Sequence, residues 1–209
     1  MKIFLTAGSL FTAFLLTLSS CDKDAPEEPA RLPQGIEIGG VEWAANNVDA
    51  PGTFAASPAN PGMLYIWDSP VGWESVGDVS GWQETVSSNT IWLAANDPSP
   101  LGWRLPTRAE LDILANSPYR RVDTPVKGTW FANTQEDADN GTEGKAIFLP
   151  AVGQRLLTSG TLSGVNNGYY WSSEQHEPNN ASGLFLESQI SIGADVKSYG
   201  FSLRCVVDK

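Results

Sequence analysis

The chain of 209 residues carries 24 Asp and Glu against 13 Lys and Arg, which gives a formal net charge of −11 at pH 7. An acidic chain without a cluster of basic residues is repelled by phosphate backbones and anionic headgroups, which argues against nucleic-acid binding and direct membrane adsorption. Its two cysteines, Cys21 and Cys205, are too few for a disulfide framework.

The first twenty residues have the composition of a secretory signal peptide. Lys2 precedes an apolar run over 3–18, and small residues follow it up to position 20. Because the run is shorter than the roughly 20 apolar residues of a membrane-spanning helix, it predicts a leader that is removed after export.

The residues around Cys21 resemble the lipidation box of bacterial lipoproteins. Cys21 directly follows Leu18-Ser19-Ser20, and the acidic run DKDAPEEP after it is similar to the surface-export signal of Bacteroides-type lipoproteins. The resemblance implies a lipid on Cys21 and an outer-membrane lipoprotein that faces the exterior, attached to the membrane only through that lipid. A disulfide role for Cys21 is the alternative, although this acidic, Pro-containing tail offers the side chain nothing to pack against.

Residues 21–34 contain three Pro and several charges without an apolar period, which predicts an extended tether. Residues 35–209 show neither a second linker nor an internal repeat, and their length fits one domain. We expect this domain to be monomeric and held by its hydrophobic core, since Cys205 has no partner once Cys21 carries lipid.

The domain begins with two alternating runs, IEIGGVEW over 36–43, separated by Gly39-Gly40. Such a pair predicts a hairpin in which Ile38 lies opposite Val41 and Ile36 opposite Trp43. Further short strands are predicted at 63–67, 90–94, 146–150, 168–173, 183–187, 188–193 and 202–207.

One helix is predicted within GWRLPTRAELDIL, residues 102–114. Thr107 and Glu110 have the spacing of a capping box, and the apolar residues after them recur at helical spacing. Pro118 cannot continue a helix, so we expect the helix to end near Asn116.

The residues before this helix predict a corner of the fold. Trp103 and Leu105 alternate with Arg104, so two apolar side chains point one way and the guanidinium the other. Pro106 biases Leu105 toward an extended conformation. We interpret Arg104 as a clamp for backbone carbonyls or a carboxylate rather than as a catalytic group.

Six segments, spread over nearly the whole domain, match in order the motifs of one family. They are GGVEWAANNV (39–48), LYIW (64–67), DPSPLGWRLPTRAEL (97–111), FLPAVGQR (148–155), GYYWSSE (168–174) and LRCVVD (203–208). Together they resemble the Fibrobacter succinogenes major paralogous domain, which is common in secreted and lipoprotein chains of gut bacteria. The resemblance implies an α+β domain of the C-type lectin-like fold, with small twisted antiparallel sheets, one or two helices and long loops. Trp171 and Arg204 lie in matched segments, and we expect them to be structural.

One departure from the family concerns Cys205. Family members usually carry Cys-Pro where this chain has Ser99-Pro100. A bridge from that position to Cys205 therefore cannot form, and we predict that Cys205 is a buried free thiol.

No group of residues has a catalytic pattern. His176, the single histidine, lies in a polar segment, and no Gly-x-Ser-x-Gly elbow is present, which argues against a Ser-His-Asp hydrolase. WRLPT and the Arg204-Cys205 pair also resemble formylglycine-generating domains, whose reaction is implied to need a cysteine pair that this chain lacks. A glycoside hydrolase needs only two carboxylates, and it stays open as a third alternative. We expect no enzymatic activity and no cofactor.

The tripeptide Glu177-Pro178-Asn179 matches the motif by which calcium-dependent lectins hold calcium and sugar hydroxyls. Calcium requires six to eight oxygen ligands, and the partner Trp-Asn-Asp motif is missing downstream. We therefore predict no metal site, and we keep Glu177 and Asn179 as candidate ligand contacts.

Eight tryptophans provide the other binding signal. Trp73 and Trp82 lie in a Gly- and Ser-rich segment, 69–85, where loop aromatics suit stacking on sugar rings or docking a protein. Alternatively, both fold back as lids on the core. Five others are expected in the core: Trp43, Trp67, Trp92, Trp103 and Trp171.

The sequence thus favours a non-catalytic surface module that binds a glycan or a surface protein through its loops. A structural or adhesin-like subunit of a surface assembly is the alternative. The two hypotheses differ in one prediction, since only a structural or adhesin-like subunit requires the chain to oligomerise.

Overall fold

The computed structural model describes residues 35–209, so the predicted leader, Cys21 and the tether lie outside the described residues. Strands make up most of the regular structure, with two short α-helices, which is compatible with an α+β class. None of the helices in this range is long and apolar enough to cross a bilayer.

In chain order the strands are β1 (Ile36–Ile38), β2 (Val41–Trp43), β3 (Leu64–Ile66), β4 (Gly72–Trp73), β5 (Trp103–Arg104), β6 (Tyr119–Val122), β7 (Gly128–Ala132), β8 (Ala146–Pro150), β9 (Gln154–Arg155), β10 (Leu162–Ser163), β11 (Gly168–Glu177), β12 (Asn180–Leu186), β13 (Ile190–Val196), β14 (Gly200–Phe201) and β15 (Val206–Val207). The helices are α1 (Arg108–Ala115) and α2 (Gln135–Asn140).

The strands pair into four small antiparallel sheets. Their orders are β1-β2-β15-β5, β10-β9-β14-β3-β4, β11-β12-β13 and β6-β7-β8. Most strands of the first two sheets have only two or three residues, so these sheets bring together distant parts of the chain and leave long loops between them.

The predicted hairpin and helix are confirmed. Ile36 pairs with Trp43 and Ile38 with Val41 across a two-residue Gly turn. Thr107 caps α1, with both hydrogen bonds of the capping box to Glu110 formed, and the helix ends at Ala115.

The strand predicted at 90–94 is wrong. Ile91 forms only an isolated bridge to Glu174, and a 3₁₀ turn follows at Ala94–Asn96. The Leu93 N–H donates to a carboxylate oxygen of Asp68 at 2.9 Å, so this donor is not free for a strand ladder.

The strand predicted at 202–207 is wrong over most of its length, since only Val206–Val207 (β15) is a strand, and β14 (Gly200–Phe201) ends before the predicted range. β14 belongs to the five-stranded sheet and β15 to the four-stranded one, and residues 202–205 cross from one sheet to the other. The alternating sequence predicted a single strand, whereas residues 201–206 are buried without a break.

The aromatic core agrees with prediction. The five expected core tryptophans are 0–6% exposed: Trp43, Trp67, Trp92, Trp103 and Trp171. The Trp171 ring stacks on Phe201 with centroids 4.0 Å apart.

Among residues 35–209, three cations are fully buried without a carboxylate within salt-bridge distance, and one of them is Arg204. Its guanidinium donates to the backbone carbonyls of Ala44 at 3.0 Å, Ala45, and Phe148 at 2.6 Å, and to Asn47 Oδ1 at 3.0 Å. Burial lowers the pKa of Arg204 to about 10. Arg204 therefore joins the segment after β2 to β8 through its hydrogen bonds. The other two buried cations, Arg155 and Lys197, hold the loop described next.

Candidate functional site

Trp73 and Trp82, which the sequence places nine positions apart in a loop, lie together in the structure. Trp73 belongs to β4 and pairs with Leu64 of β3, and the two indole centroids are 5.0 Å apart with an interplanar angle of 56°. Both side chains are half-buried. The pair is thus part of the domain surface, attached to the five-stranded sheet.

Trp82 is a packing residue. Its Nε1 donates to the Leu157 carbonyl at 2.9 Å, and its ring covers Gly160 and Gly200. A Cβ at either glycine would lie within 3 Å of the ring, so both positions need glycine for Trp82 to approach. This geometry matches the alternative in which a loop tryptophan folds back onto the domain.

Trp73 instead lines an open recess of about 280 Å³. Polar side chains of Ser69, Gln83 and Thr85 share this recess with Val71. Gln83 and Thr85 are exposed, so their amide and hydroxyl groups are accessible beside the indole. An aromatic side chain among hydroxyl and amide groups is the composition of a small polar-ligand site.

Arg155, which is 0% exposed, fixes the loop around this recess from the interior of the domain. Its Nε and Nη2 donate to the Glu74 carbonyl at 2.8 and 2.6 Å, and Nη2 also donates to the Gly77 carbonyl at 3.0 Å. Nη1 donates to the Gly160 carbonyl at 2.6 Å. Burial lowers the pKa of Arg155, yet a guanidinium stays charged in proteins, so the loop is held by charge-assisted hydrogen bonds.

Lys197 holds the far end of the same loop. Its Nζ donates to the carbonyls of Ser87 at 2.9 Å and Asn89 at 2.8 Å and to Gln175 Oε1 at 2.8 Å. The ammonium group also lies 4.4 Å from the centroid of the Trp67 ring. Burial lowers the pKa of Lys197, and the nearby negative charge of Asp68 opposes that shift.

The Asp68 carboxylate accepts hydrogen bonds from side chains at the same end of the loop. Asp68 adopts a left-handed φ of 60°, and its carboxylate accepts hydrogen bonds from Ser87 Oγ at 2.5 Å and Asn89 Nδ2 at 2.6 Å. Burial alone raises the pKa of Asp68, but the hydrogen bonds outweigh it and lower the pKa. Segment 74–89 is therefore anchored at both ends to buried charged groups.

Sequence reasoning did not identify Arg155, Lys197 or Asp68. Arg155 at least ends one of the segments that match the family, FLPAVGQR. No sequence pattern marks Lys197 or Asp68 as a loop anchor. Their partners are mainly backbone groups and short polar side chains of one loop, and these groups come together only when the chain folds.

Glu177 and Asn179 lie at the exposed turn between β11 and β12. Asn179 lines a recess of about 380 Å³ with Val86 and Ser88, so it faces the same loop that carries Gln83 and Thr85. Glu177 does not line this recess. Within residues 35–209 no group of three or more His, Cys, Asp or Glu side chains is placed to hold a metal ion.

A larger cleft, of about 580 Å³, lies beside the WRLPT stretch. Trp92, Trp103 and Leu105 form its buried side, and Arg104 and Pro100 contribute to its lining. The Arg104 guanidinium binds Glu110 in a bidentate pair, at 2.7 and 2.9 Å, which confirms the predicted clamp on a carboxylate.

The pairing of Arg104 with Glu110 shifts the pKa of both side chains. The hydrogen bond to Glu110 raises the pKa of Arg104. Burial raises the pKa of Glu110, but hydrogen bonds from Arg104 and Thr107 outweigh it and lower the pKa. The Pro106 carbonyl accepts from the Ser173 N–H at 2.8 Å and so joins this corner to β11. The Trp103 side chain is buried, and Thr107 caps α1.

Three carboxylates line the cleft, those of Asp97, Glu174 and Asp208. Burial raises the pKa of Asp195, as a general acid requires, but Asp195 lies on β13 and does not line the cleft. His176 is exposed, and its Nδ1 lies 3.4 Å from the Arg108 guanidinium, which is not a nucleophile.

Cys205 is a buried free thiol, as predicted. Its Sγ lies 3.1 Å from Ser99 Oγ, the position at which the family resemblance implies a cysteine. Burial raises the pKa of Cys205 to about 12, so the thiol stays protonated at neutral pH.

Comparison with known proteins gives no relative from which a function could be transferred. No protein-family model, no curated protein and no solved structure matches the chain.

Proposed function

We propose that the protein is a non-catalytic surface module that binds a saccharide at the Trp73 recess. The observation that carries this proposal is the placement of the Trp73 indole beside exposed Gln83 and Thr85 on a loop fixed by Arg155 and Lys197.

The chemistry of the recess suits a sugar. A pyranose ring has an apolar C–H face that packs on an indole, and its rim of hydroxyls needs both donors and acceptors. Gln83 supplies both through its amide. The Thr85 hydroxyl donates to the Gln83 carbonyl at 3.2 Å and can accept from a ligand, whereas the Ser69 hydroxyl accepts from the Val71 N–H and can donate to one. A site without charged side chains at its centre favours a neutral saccharide.

Fixing the loop increases the affinity that so small a site can reach. Immobilising a flexible side chain on binding costs about 0.5–1.5 kcal/mol, and ordering a loop costs more. Here the Glu74 and Gly77 carbonyls are bound by Arg155 within the protein itself. The site is therefore preorganised, and more of the contact energy is available for binding.

A longer ligand could use both sides of the loop. Residues 83–85 line the Trp73 recess, and the following residues line the recess that contains Asn179. We assign Asn179 to contacts with a second sugar unit, and Glu177 to no contact, since it lies outside both recesses.

We also place the chain in the Fibrobacter succinogenes major paralogous domain family, with a C-type lectin-like fold. The contact between Ser99 and Cys205 supports this, because the family's cysteine pair would occupy the same two positions. Small antiparallel sheets with two short helices and long loops are compatible with that fold.

The cellular part of the proposal rests on the sequence around Cys21, which resembles a lipoprotein box followed by an acidic export signal. A lipid on Cys21 would hold the domain on the outer membrane, facing the exterior. There it would meet dietary, host and microbial glycans, the ligand class that the recess fits.

A glycan array tests the proposal with matched variants. We expect the protein to bind a defined set of neutral glycans and Gln83→Ala with Thr85→Ala to reduce their signal about tenfold, as for the loss of hydrogen bonds worth about 1.4 kcal/mol in all. Gln189→Ala, an exposed glutamine on another loop, serves as the control and should bind normally. An array without hits, or hits unaffected by the double variant, would contradict the proposal.

A further inference from the structure

A second surface of the protein, the cleft beside WRLPT, has a chemistry different from that of the Trp73 recess. Its rim carries Leu101, which is 91% exposed, and Ile91, which is 57% exposed. Leu93, two residues beyond Ile91, is 39% exposed. Leu93 does not itself line the cleft. Single exposed aliphatic residues are ordinary, but an exposed pair such as Ile91 and Leu101 on one concave surface is typical of a binding site for another protein.

Leu101 is held in its exposed position by a rigid turn. The Trp103 N–H donates to the Pro100 carbonyl at 3.0 Å, and Gly102 has a φ of 82°, as a type II turn requires at its third residue. The Asp208 N–H donates to the Gly102 carbonyl at 3.0 Å and ties the turn to the end of β15. The exposure of Leu101 is thus built into the fold.

Asp97 fixes the residues on both sides of this turn. One carboxylate oxygen accepts from the Ser99 N–H at 2.8 Å and the other from the Leu105 N–H at 3.2 Å. Segment 97–105 therefore presents its aliphatic tip without needing to become ordered on binding, which lowers the entropic cost of docking.

The charge of the cleft points to a cationic partner. Asp97, Glu174 and Asp208 line it, whereas the one basic lining residue, Arg104, is already neutralised by its bidentate pair with Glu110. The Asp208 carboxylate lies 3.8 Å from Arg104 Nε, but its side chain is 64% exposed, so it can also meet an incoming charge.

The same cleft is unsuited to a saccharide. Its two aromatic residues, Trp92 and Trp103, are almost completely buried, so neither ring offers a face for stacking. What the cleft exposes is aliphatic surface flanked by carboxylates, and this combination complements a protein segment better than a sugar.

We propose that this cleft docks a partner protein through a segment in which an aliphatic or aromatic side chain stands next to Lys or Arg. The apolar side chain packs between Ile91 and Leu101, and the basic side chain pairs with Asp208 or Glu174. This docking surface is separate from the saccharide site and does not depend on it.

A random-peptide phage library panned against the purified protein tests the proposal. We expect the enriched peptides to share an apolar residue adjacent to Lys or Arg. Leu101→Ser should weaken a synthetic consensus peptide about tenfold or more, as for the loss of a hot-spot contact. Asp208→Asn should weaken it less and reduce the dependence of binding on salt, because one screened ion pair is lost.

Leu101 is exposed, so its replacement leaves the core intact, and Val165→Ser, an exposed aliphatic residue outside the cleft, is the matched control. The proposal is overturned if no consensus emerges, if the consensus is acidic, or if Leu101→Ser binds as well as the unchanged protein. It is also overturned if Leu101→Ser abolishes glycan binding on the array, because the cleft would then belong to the saccharide site.

Discussion

Glu110 joins two local structures through one carboxylate. It accepts from the Thr107 N–H at 2.8 Å within the capping box and from both terminal nitrogens of Arg104. Glu110→Ala removes the cap partner and leaves the half-buried Arg104 guanidinium with only the Asp208 carboxylate, 3.8 Å away, so we expect a loss of about 1–3 kcal/mol in the free energy of unfolding. Urea denaturation measures it, with Glu136→Ala in the first turn of α2 as the control.

The pH dependence of that loss has a definite sign. Because the folded-state pKa of Glu110 is lowered, its contribution is fully present above its ordinary pKa of 4.5 and disappears as the pH falls through the lowered value. The difference in stability between the unchanged protein and Glu110→Gln should therefore shrink below pH 4.5. A difference that is constant from pH 7 to the acid limit would contradict the clamp.

Ser99 and Cys205 form a contact that a disulfide could replace. We expect Ser99→Cys, made with Cys21→Ser to remove the other thiol, to form a bridge under air oxidation, since the present side-chain atoms are 3.1 Å apart. The two positions are 106 residues apart, so loop closure would stabilise the fold by up to about 4–5 kcal/mol. Thiol titration and a melting curve with and without reductant check this, and two free thiols after oxidation would refute it.

At the scale of single residues, the sequence predicted what is local. Thr107, Glu110 and Arg104 lie within seven positions, so spacing alone placed the cap and suggested the clamp. Arg155 could not be found in this way, because the loop carbonyls it binds, those of Glu74 and Gly77, lie 81 and 78 positions earlier in the chain. No side-chain pattern in a sequence identifies a backbone carbonyl as a partner.

At the scale of elements, the conformation of the loop that contains Trp73 and Trp82 depends on Arg155. Arg155→Lys keeps the charge but loses the planar fork that reaches Glu74, Gly77 and Gly160 together. We expect a loss of about 3 kcal/mol, as for breaking a buried charged network, and faster amide hydrogen exchange across segment 74–82.

The amide hydrogen-exchange experiment has an internal reference. Since α1 lies outside the loop, its amides should exchange as slowly in Arg155→Lys as in the unchanged protein. Arg120→Lys, an exposed arginine of β6, should change neither the stability nor the exchange of the loop. Equal acceleration in α1 and the loop would show that Arg155 supports the whole fold rather than this element.

Two of the elements that were not predicted, β6 and α2, share a physical cause. The residues of β6 are mostly exposed, and α2 buries only Ala138, so neither has an apolar period to find. By contrast β8, AIFLP, is buried throughout and was predicted at its observed bounds. Residues 90–94 have the composition of a strand, but Asp68 binds the Leu93 backbone and the tertiary contact prevails over the local preference.

For the molecule as a whole, burial makes the surface more acidic than the composition indicates. Within residues 35–209 the interior holds three cations, Arg155, Lys197 and Arg204, against one carboxylate, that of Asp68, so the exposed side chains are more acidic than the composition while the net charge is unchanged. This strengthens the argument against nucleic-acid binding that net charge already provides. The α+β expectation came from the family resemblance, because strands of two or three residues are too short for periodicity to reveal a sheet.

The most direct test of saccharide binding is the indole N–H spectrum of the protein titrated with the glycan that the array selects. Its eight tryptophans give eight resolvable side-chain probes, assigned by single substitution to Phe. We predict that the Trp73 signal shifts most on titration, that Trp82 shifts less, and that Trp103 in the cleft and Trp130 on β7 stay unchanged. An unmoved Trp73 signal, or a larger shift at Trp103, would show that the recess is not the saccharide site.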